Sequence, residues 1–108
     1  MIASEIVREL AELTVENRKG VEVYAEVMDN LARCENRLDT VEARAFLSAT
    51  GSVAERQAHA KLEAADARLE RDLAKAQVDR VRAKLRAIES AIMSQATAAK
   101  MLQAEMKL

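Results

Sequence analysis

Residues 24–45 read YAEVMDNLARCENRLDTVEARA. In that stretch Tyr24, Val27, Leu31, Cys34, Leu38, Val41 and Ala45 stand at alternating steps of three and four. Such steps gather side chains onto one narrow stripe of a helix, the seam of a coiled coil. Going back toward the N-terminus, Gly20, Asn17, Leu13, Leu10 and Ile6 keep the same phase, and no charge falls on the stripe. The first half of the chain is therefore predicted as one long helix, from about residue 3 to 49, with a possible kink near Gly20. Glycine within a helix costs about 1 kcal/mol relative to alanine, a loss that a packed seam outweighs.

The segment after that helix is short. Ala49-Thr50-Gly51-Ser52 is the one strong punctuation of the sequence. Glycine accepts the positive φ that ends a helix, and serine caps the next one. Ser52 with Glu55 three residues on is a capping box. The turn is thus placed at 50–52 and a second helix at about 53–107. Its apolar stripe is read as Leu62, Leu69, Leu73, Val81, Leu85, Ile88, Ile92, Ala99, Leu102 and Met106, with Gln95 on the seam and a stutter between Leu69 and Val81. Folding back at Gly51 brings together residues whose numbers sum to about 103, at 1.5 Å rise per residue. Val41 then faces Leu62, Cys34 faces Leu69 and Leu31 faces Leu73.

The expected fold is all-α: residues 1–108 as a single long antiparallel helical hairpin, coiled-coil-like, assembling into a homo-oligomer. Composition agrees, since the chain has no Pro or Trp, two Gly and 32% charged residues, and good helix formers dominate it. Two helices about 70 Å long cannot enclose a core by themselves, so company is required. Val7, Val15, Val21, Val23, Met28, Phe46 and Leu47 lie off the main stripe and offer a second apolar surface. Ile88, Ile92, Gln95, Ala99, Leu102 and Met106, in and around the low-charge stretch 90–101, are the candidate oligomer interface. Asn17 on the seam is read as a register-fixing polar residue.

The residues also narrow the chemistry. The single Cys34 sits on the seam as a small hydrophobe, and no internal disulfide can form. His59, the one histidine, has no ligands at metal spacing. No phosphate loop, paired catalytic carboxylate or nucleophile triad is visible, so a non-catalytic protein without metal or cofactor is expected. With no signal peptide and no apolar stretch of membrane-spanning length, a cytoplasmic location in a bacterium or a phage-infected cell is expected and no membrane partner.

Net charge is −1, but unevenly spread: residues 1–50 carry net −4 and residues 51–108 net +3. Arg80, Arg82, Lys84 and Arg86 form a run without an acid. A ladder of cations of this kind suits phosphate contacts. The competing reading is a solvated face paired with Glu22 and Glu26 on the first helix.

At Ala43-Arg44-Ala45-Phe46-Leu47-Ser48-Ala49-Thr50-Gly51-Ser52-Val53-Ala54-Glu55-Arg56 the chain resembles the UvsY-type recombination mediators of phages. The shared layout is a long helix, an aromatic before a glycine turn, a Glu-Arg helix start, and an Ile92-to-Met106 tail after a charged helix. The resemblance implies a ring-like homo-oligomer that binds single-stranded DNA and helps load a recombinase onto strands covered by single-strand-binding protein. By position it implies Arg44, Phe46, Arg56 and Lys61 as nucleic-acid contacts, beside the basic run. The alternative is a coiled-coil adaptor or scaffold that binds only protein partners.

Overall fold

The computed structural model describes residues 2–107, and every regular element among them is helical. Helix α1 spans Ala3–Ser48, α2 spans Val53–Glu63 and α3 spans Ala65–Met106. Helix α1 passes through Gly20 unbroken. It ends where Gly51 takes a φ of 106°, a value that strains any residue with a Cβ. Ser52 caps α2: its hydroxyl oxygen accepts from the Glu55 amide at 3.2 Å and donates to the Glu55 carboxylate at 3.1 Å. The carboxylate thus takes the serine hydroxyl rather than a backbone amide. On the other side of the turn, Arg56 Nε donates to the Phe46 carbonyl at 3.2 Å, which satisfies an orphan acceptor at the end of α1.

The helix expected over 53–107 is divided at Ala64, whose φ and ψ are −91° and 4°. The division is slight. The Ala64 amide still donates to the Ala60 carbonyl, and the Ala64 carbonyl accepts from the Arg68 amide at 2.9 Å.

By their contacts the helices divide into two units. One, the turn unit, is Ala25–Asp79; the other, the terminal unit, joins the residues up to Tyr24 with those from Arg80 on.

In the turn unit, α1 contributes Val27, Leu38 and Ala45 to the buried seam, with Leu31, Cys34 and Val41 half-buried. The facing arm differs from the sequence expectation. Its buried residues are Ala60, Ala64, Ala67, Ala74 and Val78. Leu38 packs with Ala64 and Ala67, and Ala64 has no exposed surface at all. Leu62, Leu69 and Leu73, expected on the seam, are 77%, 59% and 59% exposed. They lie two positions beyond seam residues and so turn outward. The reason is phase. Positions 60, 64, 67, 71, 74 and 78 keep the four-three alternation without a break, so no stutter occurs. Holding the leucines inward would demand an irregular step inside a helix that is regular over Ala65–Met106. Arg71 takes the remaining seam position half-buried, its stem over the seam and its Nε on Asp72 at 2.7 Å. Large side chains on α1 meet small ones on the other arm, which lets the helices approach closely. Ion pairs flank the seam on both sides: Arg68–Glu42 at 2.9 Å and Arg37–Glu70 at 2.6 Å.

In the terminal unit Ile6 and Ile88 are buried, and Leu10, Leu13, Val81, Leu85, Ile92, Ala99 and Leu102 are half-buried. Gly20 stands at a close approach: a Cβ there would lie 2.5 Å from Leu85 Cδ2, so the end of that leucine would have to move. Asn17 and Gln95 put polar groups on this seam. Gln95 Nε2 donates to Glu9 at 2.8 Å, while Gln95 Oε1 and Asn17 Oδ1 are buried without a donor. Met106, expected on the seam, is exposed.

Candidate nucleic-acid interface

The basic run lies midway along α3, at the start of its share of the terminal unit. A helix advances about 100° per residue, so side chains two apart point to nearly opposite sides. Val81 and Leu85 of this run face the seam. Arg80 and Lys84 therefore occupy one flank of the seam, and Arg82 and Arg86 the other. The four cations do not form one surface.

Their surroundings differ as well. Lys84 borders a groove with Glu16, Lys19, Gly20, Val23 and Leu85, so a carboxylate sits among the cations of that flank. Arg82 Nη2 donates to the Tyr24 hydroxyl at 3.1 Å, with its guanidinium carbon 5.9 Å from the ring centroid. Arg80, Lys84 and Arg86 are exposed and, among the described residues, form no ion pair. Among the described residues no ion pair joins Arg80, Lys84 or Arg86 to Glu22 or Glu26.

At the turn, the structure joins two of the four positions suggested by the resemblance. The Arg56 guanidinium lies over the Phe46 ring, 4.4 Å from its centroid. A cation–π contact of this kind occupies the ring face that a base would stack on. Lys61 is exposed beside Phe46 in a shallow groove that also holds Asp39 and Glu42. Arg44 is exposed and is not among that groove's lining residues. Phe46, Arg56 and Lys61 thus gather near the turn, with two carboxylates beside them.

The candidate interface residues Ile88, Ile92, Gln95, Ala99 and Leu102 lie on the seam of the terminal unit. Gln95 bonds Glu9, and Ala99 and Leu102 line a groove with Ala3, Ile6 and Val7. They face α1 of their own chain, because the low-charge stretch that suggested an interface carries the four-three phase of the internal seam. The surface left open is elsewhere. Sequence reading named Val7, Val15 and Val21 for it, and these are exposed. It missed the outward leucines, whose signal was the unbroken phase running back from Val81.

Among the described residues no His, Cys, Asp and Glu side chains group as metal ligands, and no helix is long and apolar enough to cross a membrane. No protein-family model, curated protein or solved structure matches the chain.

Proposed function

We propose that this chain is a non-catalytic assembly protein: a coiled-coil-like helical hairpin that associates with copies of itself and acts as a scaffold or adaptor for protein partners. The observation that carries this reading is the outward face of the turn unit, where Leu62, Leu69 and Leu73 are each more than half exposed. Burying one leucine side chain is worth about 1.5–3 kcal/mol, so three in a row favour a covering surface. Among the described residues the helices carry no enclosed polar cluster that would support catalysis. Light scattering across a dilution series tests the proposal. A mass above one chain, falling on dilution, is expected; a single-chain mass at every concentration overturns it.

A second reading is favoured by one observation, the exposed and unpaired state of Arg80, Lys84 and Arg86. On that reading the assembled chain binds single-stranded DNA and helps load a recombinase past single-strand-binding protein, within the cytoplasm of a bacterium or phage-infected cell. Copies of the chain would multiply two weak flanks into many phosphate contacts. A titration of labelled single strands across salt decides it, since affinity falls with a log–log slope of about −0.7 per phosphate neutralised. No binding at low salt, with the oligomer intact, ends that reading.

A further inference from the structure

The side of α2 and α3 that faces away from the seam carries a stripe of its own, and its character changes along the chain. In the turn unit the stripe is Leu62, Asp66, Leu69, Leu73 and Ala76. Its bordering positions hold Glu63, Glu70, Asp72 and Asp79, all exposed. Glu70 is paired with Arg37, Asp72 with Arg71, and Asp79 also has a partner, which leaves Glu63, with Asp66 on the stripe, as the acids without an ion pair. In the terminal unit the stripe of the same phase is Arg80 and then Ala83, Ala87, Ser90, Ser94, Thr97, Met101 and Ala104, again all exposed and small but for Arg80 and Met101. Its borders hold Lys84, Arg86, Lys100 and Lys107, with Glu105 the one acid.

The two faces complement each other in shape and in charge. One presents large leucines with the unpaired acids Glu63 and Asp66; the other presents mainly small side chains, with Met101 toward its end, between bases. Leucine knobs enter holes formed where the opposite side chains are small, and opposite charges at the borders set partner and orientation. On its own copy the leucine face would give Glu63 and Asp66 no base to meet. A like pairing of the small-residue faces sets bases against bases and buries little apolar surface.

We propose that the leucine face of the turn unit docks on the small-residue face of the terminal unit of a second copy of this chain. The inference rests on the self-association proposed for this chain and names the surfaces that make it. The apolar side chains of both stripes lie outside the internal seam and are exposed, while Glu70 at the leucine border is held by Arg37 across the seam. The contact is between unlike patches, so it forms twice in a closed pair or once per step in a longer series.

Charge reversal tests it on the full chain. Among the described residues Glu63 and Asp66 form no ion pair, and neither do Lys84 and Lys100. The variant Glu63→Lys with Asp66→Lys places bases on both faces; the variant Lys84→Glu with Lys100→Glu places acids on both. Each alone is expected to weaken self-association at least about tenfold by sedimentation equilibrium, because like charges then face each other. Mixing the two is expected to restore association to within about threefold of the parent, as a mixed species. Leu69→Ala with Leu73→Ala is expected to weaken association while leaving the helical circular dichroism of the dilute chain unchanged. A parent that associates while both reversed variants match it overturns the assignment of the faces and leaves self-association standing. A parent that stays a single chain at every concentration overturns both.

Discussion

Leu38 and Leu69 carry the same side chain on opposite sides of the same seam geometry, and truncating each gives opposite outcomes. Leu38 is 6% exposed and packs on Ala64 and Ala67. Leu38→Ala removes buried methyl groups and leaves a gap that alanines on the facing arm cannot fill. The loss is about 3 kcal/mol, within the usual 2–5 for such truncations. With a urea dependence of roughly 1–3 kcal/mol per molar for a chain of this size, the midpoint falls by about 1–3 M. Leu69 is 59% exposed. At a dilution where the chain is a single copy, Leu69→Ala shifts stability by no more than about 0.5 kcal/mol, as exposed substitutions do. Ala64→Leu completes the comparison: with no exposed surface at Ala64, the added atoms overpack the seam and cost about 1–3 kcal/mol. Urea titration monitored by helical circular dichroism measures all three. A loss for Leu69→Ala equal to that for Leu38→Ala refutes the inward alanine seam.

At Gly20, alanine gains about 1 kcal/mol of helix propensity but forces Leu85 off its position. Gly20→Ala is therefore near neutral in the parent and stabilising by about 1 kcal/mol in a Leu85→Ala background, a coupling that a double-mutant cycle reads directly. Gly51→Ala is expected to cost about 1–2 kcal/mol in the same urea titration, because a Cβ is strained at a φ of 106° and meets the Glu55 carboxylate. Asn17→Leu replaces a buried, undonated Oδ1 on the seam and is expected to raise the thermal midpoint by several degrees, about 1 kcal/mol in free energy; an unchanged or lower midpoint counts against that placement.

The first helix was legible because its stripe has one candidate only. From Ile6 to Ala45 no competing face offers a continuous apolar row, and Gly20 and Asn17 interrupt the chemistry without shifting the phase. The second arm offered two rows between residues 60 and 78. One held leucines, the other alanines with an arginine among them. Ranking the rows by hydrophobicity selects the leucines; extending the phase from Val81–Leu102 selects the alanines. Phase prevails, because a regular helix rotates every later side chain together, whereas the surplus of a leucine over an alanine is local. The charges held the same signal. Arg68 and Glu70 straddle the alanine row and meet Glu42 and Arg37 on its two sides. The charges bordering the leucine row itself are acids, of which Glu70 and Asp72 are held by Arg37 and Arg71.

The basic run shows the same rule at the candidate site. Four cations within seven residues look like one patch when counted along the sequence, but alternate residues of a helix face apart. The Phe46–Arg56 contact had no such signal, since it depends on how tightly the chain turns around Gly51. On the proposed reading, the choice of partner comes from keeping the two faces of α2 and α3 separate. Small residues inward let this arm pack closely on α1. Large residues outward, with Glu63 and Asp66 unpaired beside them, would then select a partner whose own border carries bases. A chain that used its leucines for the internal seam would have nothing left on this face with which to tell one neighbour from another.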